Sequence, residues 1–150
     1  MTLTVRQATV SDLDALAPLF DGYRQFYGRS SDLDAARAFL LARFNHNESI
    51  VFIAHDADRA VGFTQLYPSF SSISLGRIYV LNDLFVHAHS RRHGVGSQLL
   101  NAAIEFAKAV GAVRLTLSTA TTNTTAQSVY QAGRWVRDEQ YFVYNFAVKS

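Results

Sequence analysis

Arg91-Arg92-His93-Gly94-Val95-Gly96-Ser97 joins an apolar segment to an amphipathic one, and its reading decides the fold. Upstream, Arg77-Ile78-Tyr79-Val80-Leu81-Asn82-Asp83-Leu84-Phe85-Val86 is β-branched, aromatic and apolar, which predicts a strand. Downstream, Leu99, Leu100, Ala103, Ile104 and Ala107 fall on one face at helical spacing. A glycine-spaced turn feeding a helix offers unpaired backbone N–H groups, the positive end of the helix dipole and room for close approach. With Arg91, Arg92 and His93 beside it, such a turn suits a phosphate or pyrophosphate.

Two common phosphate loops are excluded by spacing. No Gly-x-x-x-x-Gly-Lys-Ser/Thr string occurs in the chain. A dinucleotide fingerprint needs a third Gly or Ala three residues after the second, and an acidic residue about 20 positions on. Leu99 and Thr116 stand there instead. What remains is Arg-x-x-Gly-x-Gly from Arg91 to Gly96, which by itself also suits a plain turn capping a surface helix.

A second string lies downstream: Asn123-Thr124-Thr125-Ala126-Gln127-Ser128-Val129-Tyr130-Gln131-Ala132-Gly133-Arg134-Trp135. It follows a strand-like run over residues 113–119, itself preceded by Gly111. Together the two strings resemble the GCN5-related N-acetyltransferase (GNAT) superfamily over roughly residues 77–148, with the N-terminal half similar in element order. The family pattern has Gly directly before the aromatic residue, whereas Arg134 intervenes here, which predicts a helix ending one residue early. The stretch from Val61 through Asn82-Asp83 to Ser97 looks like the diamine (spermidine/spermine-type) acetyltransferases and their Hpa2-like relatives. Those enzymes carry a Glu-Asp pair where this chain has Asn82-Asp83, so polyamine specificity does not carry over with the motif.

Composition bounds the remaining possibilities. At 150 residues and 49% hydrophobic, the chain reads as one domain, 1–150, with material for a substantial core. No apolar run approaches the ~18–20 residues needed to span a bilayer, and the N-terminal residues lack a secretory pattern. A cytoplasmic location and no membrane partner are the expectations. Zero cysteines exclude disulfides, thiolate metal sites and a cysteine acyl-enzyme. A net charge of +2 without basic runs argues against a nucleic-acid partner, despite a pI near 9.1.

Along the chain, residues 4–8 predict a strand. A helix capped by Ser11 or Asp12 follows, with Pro18 disturbing its early turns. Ser31 or Asp32 caps a second helix. Residues 49–55 and 60–67 form a hairpin about a turn at 56–59, and 69–76 read as a serine-rich loop. Residues 141–148 predict a last strand. The expected fold is α/β (α+β): a central mixed, mostly antiparallel twisted sheet flanked by about four helices, in a single GNAT-type domain.

The resemblance implies an acetyl-CoA-dependent N-acetyltransferase, in which a primary amine attacks the thioester directly. The diphosphate would lie on the amides of Arg92, His93, Gly94, Val95, Gly96 and Ser97, with Arg91 and Arg92 as charge partners. The pantetheine arm would pair with the main chain of Leu84, Phe85 and Val86, and Asn123 would hydrogen-bond it. In the family this strand carries a bulge and splays from its neighbour. Tyr130 stands where a hydroxyl protonates the leaving sulfur; a phenol of pKa ~10 can donate to a thiolate whose acid has pKa ~8.5.

Asp83 is the candidate base, although a carboxylate of pKa ~3.9 needs a raised value or a relay to deprotonate an ammonium of ~10.4. Tyr23, Phe26 and Tyr27 at the end of the first helix are candidate walls of the acceptor pocket, as are Tyr67 and Phe70. His46, His55, His87, His89 and His93 show no metal-binding spacing, so no metal is assigned. The partner would be a small-molecule or peptide primary amine, and the assembly a homodimer, as is common in the family. A non-catalytic acyl-CoA-sensing module with the same fold is the alternative, left open by Asn82.

Overall fold

The computed structural model describes residues 1–149. The chain divides into two compact units, Met1–Ser118 and Thr119–Ser150. The first unit holds β1 (Leu3–Gln7), α1 (Leu13–Phe26), α2 (Leu33–Asn45), β2 (Ile50–Asp56), β3 (Arg59–Ser71), β4 (Gly76–Val86), α3 (Val95–Ala109) and β5 (Arg114–Thr116). The second holds α4 (Thr124–Ala132). The fold is α/β, with a five-stranded open sheet in the order β1-β2-β3-β4-β5 and four helices among the described residues. Three strand pairs are antiparallel; β4 and β5, connected through α3, are parallel.

Helices cover both faces of this sheet. Leu13, Leu16, Leu19 and Phe20 of α1 and Ala36 and Leu40 of α2 pack on Val51, Ile53 and Phe63. On the other face, Phe106 of α3 meets Phe52 and Tyr79 with ring centroids 5.8 and 5.3 Å apart. Double coverage explains why residues 51–54 are buried without interruption, instead of alternating. Gly62 lets α3 settle close to the strands. A side chain there would come within 2.9 Å of the Phe85 carbonyl and 3.3 Å of Val95.

Several elements differ from expectation in extent. A 3-10 turn, Val10–Asp12, precedes α1, and Thr9 with Asp12 closes a capping box around it. α1 runs continuously through Pro18, the sixth of its residues. Asp32 caps α2 as expected, accepting from the Ala35 amide at 3.1 Å. β3 continues to Ser71, with Phe70 paired to Arg77 and the Arg77 guanidinium 4.2 Å from the Phe70 ring centroid. The serine-rich loop shrinks accordingly to residues 72–75. β5 is confined to three residues of the expected seven.

The strand expected over residues 141–148 is absent from the described structure. Alternating aromatic and branched residues favour extended backbone, but a strand exists only through a hydrogen-bonded neighbour, and among the described residues this segment has none. The extra residue after Gly133 also leaves its mark. α4 ends at Ala132, Gly133 takes an ordinary φ of −82°, and Arg134 adopts the left-handed conformation at φ 67°.

The loop between α1 and α2 is anchored by one carboxylate. Asp21, buried on α1, accepts from Ser31 Oγ at 2.6 Å, the Asp32 amide at 2.8 Å and Gln25 Nε2 at 3.1 Å. These donors, Ser31 first, hold its carboxyl below the usual range against the opposing effect of burial. Its stabilisation is therefore complete above the unfolded value of ~3.9 and lost as pH falls through the lower folded value. Asp21→Asn is expected to lower unfolding free energy by about 1–3 kcal/mol at neutral pH. Urea midpoints at pH 7 and near pH 3 should show the gap narrowing in acid; an unchanged midpoint at pH 7 would contradict the anchoring role.

Candidate functional site

The α3 N-terminus has the geometry of an anion site. Gly94 is its N-cap in the left-handed conformation at φ 78°, and no side chain caps the helix. The first intrahelical bond runs from the Gln98 amide to the Gly94 carbonyl at 3.1 Å, so the amides of Val95, Gly96 and Ser97 precede the ladder. No acidic residue stands in the first turn. A Cβ added at Gly94 or Gly96 meets nothing within 4 Å, so the space over both is open. Arg92 and His93 are exposed, and Arg92 also takes a left-handed φ of 68°. Arg91 turns back onto the protein instead. Its Nε donates to the Val86 carbonyl at 2.9 Å, while its guanidinium lies 5.5 and 5.7 Å from the ring centroids of Phe26 and Phe85.

The strand feeding this turn is bulged and partly unpaired. Gln65 pairs with Asp83 and Leu66 with Leu81, which leaves Asn82 as an extra residue in β4. On its other edge β4 pairs with β5 only at Ile78, Tyr79 and Val80. The segment Leu84, Phe85, Val86 therefore has β3 on one side and, within this sheet, no strand on the other. That edge can accept an extended, amide-bearing chain as an added strand. The bulge that the family resemblance implied is present.

Asp83 sits at the bulge and is 1% exposed. Its Oδ2 accepts from Gln65 Nε2 at 2.6 Å and its Oδ1 from Asn82 Nδ2 at 2.7 Å, while its backbone carbonyl accepts from Thr64 Oγ1 at 2.8 Å. Burial drives its pKa up, and the two amides and Tyr23 oppose that shift without cancelling it. Asp83 faces a cavity of about 430 Å³ whose walls include Phe20, Tyr23, Phe39, Tyr67 and Asn82. The Tyr23 hydroxyl donates to the Asn82 carbonyl at 3.1 Å. The phenols of Tyr23 and Tyr67 are both pushed up, chiefly by burial and then by the Asp83 charge, so both stay protonated. This is a carboxylate set among aromatic rings and hydroxyl donors, an environment suited to an amine.

The structure sorts the other candidates. Tyr23 and Tyr67 line the cavity with Asp83. Phe26 and Tyr27 meet edge to face at 5.4 Å, exposed and outside the lining, and Phe70 is exposed beneath Arg77. In the second unit, Asn123 caps α4 by accepting from the Ala126 amide at 3.1 Å, which commits its side-chain oxygen. Tyr130 lies two turns further along α4, with its ring 6.1 Å from that of Trp135 and its carbonyl accepting from the Trp135 amide. His87 accepts from the His89 amide at 3.3 Å. No group of three His, Cys, Asp or Glu among the described residues is placed to hold a metal.

Sequence reasoning passes over Gln65, Phe20 and Phe39. Thr64-Gln65 interrupts the apolar run from Val61 to Leu66, and a polar pair inside an otherwise buried strand is the signal that marks Gln65. Phe20 and Phe39 sit among ordinary apolar helix residues and carry no such mark.

A bulged strand running into a glycine turn and helix, beside an acid-bearing cavity, defines the acetyltransferase class of α/β fold. Residues 14–133 match the acetyltransferase (GNAT) family, and the chain belongs to it. It is 48% identical over 142 residues to the uncharacterized N-acetyltransferase YhfO of Bacillus subtilis, covering 95% of each chain. It is 38% identical to a probable acetyltransferase of Haemophilus influenzae over 63% of this chain and 66% of the relative. Among solved structures, a probable acetyltransferase superposes with a TM-score of 0.93 at 40% identity, covering 98% of this chain and 99% of the other. The protein is an acetyltransferase of this family.

The buried carboxylate has a stability consequence. A folded pKa above the unfolded ~3.9 gives Asp83 a stabilising effect below that value, which is lost as pH rises through the folded pKa. Asn in its place carries no charge to desolvate, and the unpartnered Gln65 Oε1 can turn to accept from its amide. Asp83→Asn is expected to match or exceed wild-type stability at pH 8, by up to about 2 kcal/mol, with the advantage shrinking near pH 5. Denaturant midpoints at both pH values measure it; a variant clearly weaker at pH 8 would show the charge to be stabilising.

Proposed function

We propose that the protein transfers an acetyl group from acetyl-CoA to a primary amine by direct attack. The observation that carries this reading lies within Met1–Ser118: an uncapped α3 N-terminus with open space over Gly94 and Gly96, continuous in sequence with the unpaired edge of β4 and its bulge at the Asp83 cavity. Acetyl-CoA supplies an acetyl group activated as a thioester. The Val95, Gly96 and Ser97 amides would hold its diphosphate, with Arg92 and His93 adding charge at the rim. Leu84, Phe85 and Val86 would offer main-chain groups to the arm, and Arg91, tied to Val86, would brace the turn.

At the other end, Asp83 would hold the ammonium and take its proton. The raised pKa brings this carboxylate closer to the base strength the step needs, and the apolar walls favour the neutral amine. Asn82 supplies a hydrogen bond where a second carboxylate would supply a relay, so Asp83 works alone. Tyr130 would protonate the departing sulfur; its support is the Asn123–Ala126–Tyr130 spacing on α4. A cytoplasmic, homodimeric enzyme without a metal belongs to the same reading.

Gly96→Val is the sharper test of the loop. Gly94→Val would also strain a left-handed backbone, whereas Gly96 lies inside the helix beside open space. The variant is expected to keep its stability within about 1 kcal/mol while binding coenzyme A at least roughly tenfold more weakly by calorimetry. Undiminished affinity would remove the α3 N-terminus from the cofactor site. Tyr130→Phe is expected to slow thiol release on the order of 10²-fold with coenzyme A affinity retained. An unchanged rate would remove Tyr130 from the chemistry.

A further inference from the structure

The cavity at Asp83 carries a second, unmatched charge. Arg24, next to Tyr23 on α1, also lines it and is half-buried. Among the described residues its guanidinium makes no hydrogen bond and no salt bridge. Asp21 feels its charge at a distance, but spends its oxygens on Ser31, Asp32 and Gln25. The other arginine nearby is different. Arg43, in an adjoining recess of about 440 Å³ that shares Phe39 and Tyr67, has its Nε 3.1 Å from Glu48 and lies over the Phe39 ring at 4.4 Å. The Asp83 cavity thus offers one buried carboxylate, one cation with no bonded partner, and aromatic walls.

We infer that the acceptor is an amine that also carries a carboxylate, with its ammonium at Asp83, its carboxylate at Arg24 and an apolar stem against Phe20, Phe39 and Tyr67. The inference rests on the acetyltransferase reading above and names the substrate class for that same cavity. Half-burial strengthens a guanidinium–carboxylate contact relative to open solvent, and the planar guanidinium fits a carboxylate through two parallel hydrogen bonds. A diamine is disfavoured by the same charge: its second ammonium would lie beside Arg24, with Asn82 offering no compensating carboxylate. In the transfer an N–C bond forms and the thioester C–S bond breaks. One ammonium proton passes to Asp83, a second leaves the nitrogen as the amide forms and balances the proton taken up by the departing sulfur, and the products are an N-acetylated amino acid, free coenzyme A and one proton.

Coenzyme A release from acetyl-CoA tests this with matched pairs: L-phenylalanine against 2-phenylethylamine, and L-lysine against cadaverine, with spermidine as a polyamine probe. Wild-type enzyme is expected to favour at least one amino acid over its decarboxylated partner by roughly tenfold or more in kcat/KM. Arg24→Gln should reduce amino-acid turnover by a similar factor and raise turnover of cadaverine and spermidine, whose second ammonium it no longer opposes, and Arg24→Lys should restore part of the loss. Should Arg24→Gln fail to fold, the wild-type ratio decides alone. Plain amines or spermidine equal to or better than the amino acids would overturn this inference and leave the transferase reading standing. No release with any acceptor would overturn both.

Discussion

One extra residue in β4 sets the geometry on which the site depends. With Asn82 inserted, Gln65 pairs with Asp83, and the two side chains share the face that carries α1 and α2. Were the same residues paired in a ladder with no bulge, Gln65 would oppose Asn82 and Thr64 would oppose Asp83, turning the carboxylate toward α3 and away from the aromatic cavity. The same irregularity lies just beyond the last residue of β4 paired with β5. This bulge thus aims the acid and lies close to where β4 loses its pairing with β5, the two features on which the proposed meeting of acceptor and donor rests.

The second constraint is how closely α3 sits on the strands. Gly62 opposes Val86 in the ladder, and the space above it is filled by Val95 and Leu99 of α3. Val95 and Leu99 are themselves buried, so the first turn of the helix is fixed by packing and not by a capping side chain. A cap would have consumed the amides that the open space over Gly94 and Gly96 leaves available. Core packing therefore replaces local capping as the source of order. Arg91 completes the bracing by bonding the Val86 carbonyl from across the turn.

The parts of this architecture legible in the sequence are those encoded locally. The glycine spacing, the amphipathic pattern from Leu99 to Ala107 and the Asp32 cap each identify their element, because turn chemistry and helical period act over a few residues. Asp83 stands out as a carboxylate in an apolar strand. The bulge does not, since register depends on what lies opposite: nothing in Leu81-Asn82-Asp83 says which of the three lacks a partner. The cavity walls are half legible for the same reason. Tyr23 and Phe26 look alike on α1, and only packing turns Tyr23 toward Asn82 and Phe26 toward Arg91. The segment 141–148 shows the opposite failure, a strand pattern with no pairing neighbour among the described residues.

The chemistry turns on a competition that magnitudes can decide. Two amide hydrogen bonds to a carboxylate stabilise its charged form by roughly 1.5–3 kcal/mol each. Removing a carboxylate from water costs several kcal/mol after relaxation. The two effects are close, and at Asp83 burial prevails, leaving a pKa that is raised but restrained by Gln65 and Asn82. For the proposed role as base, a carboxylate left with no donors would stay protonated and take no proton, and one fully satisfied would be too weak. Replacing Asn82 with a second carboxylate would push the Asp83 pKa further by like-charge repulsion and would favour a dicationic ligand. With the amide in place the cavity lining carries one carboxyl group and, at Arg24, one guanidinium, a balance suited to a dipolar ligand.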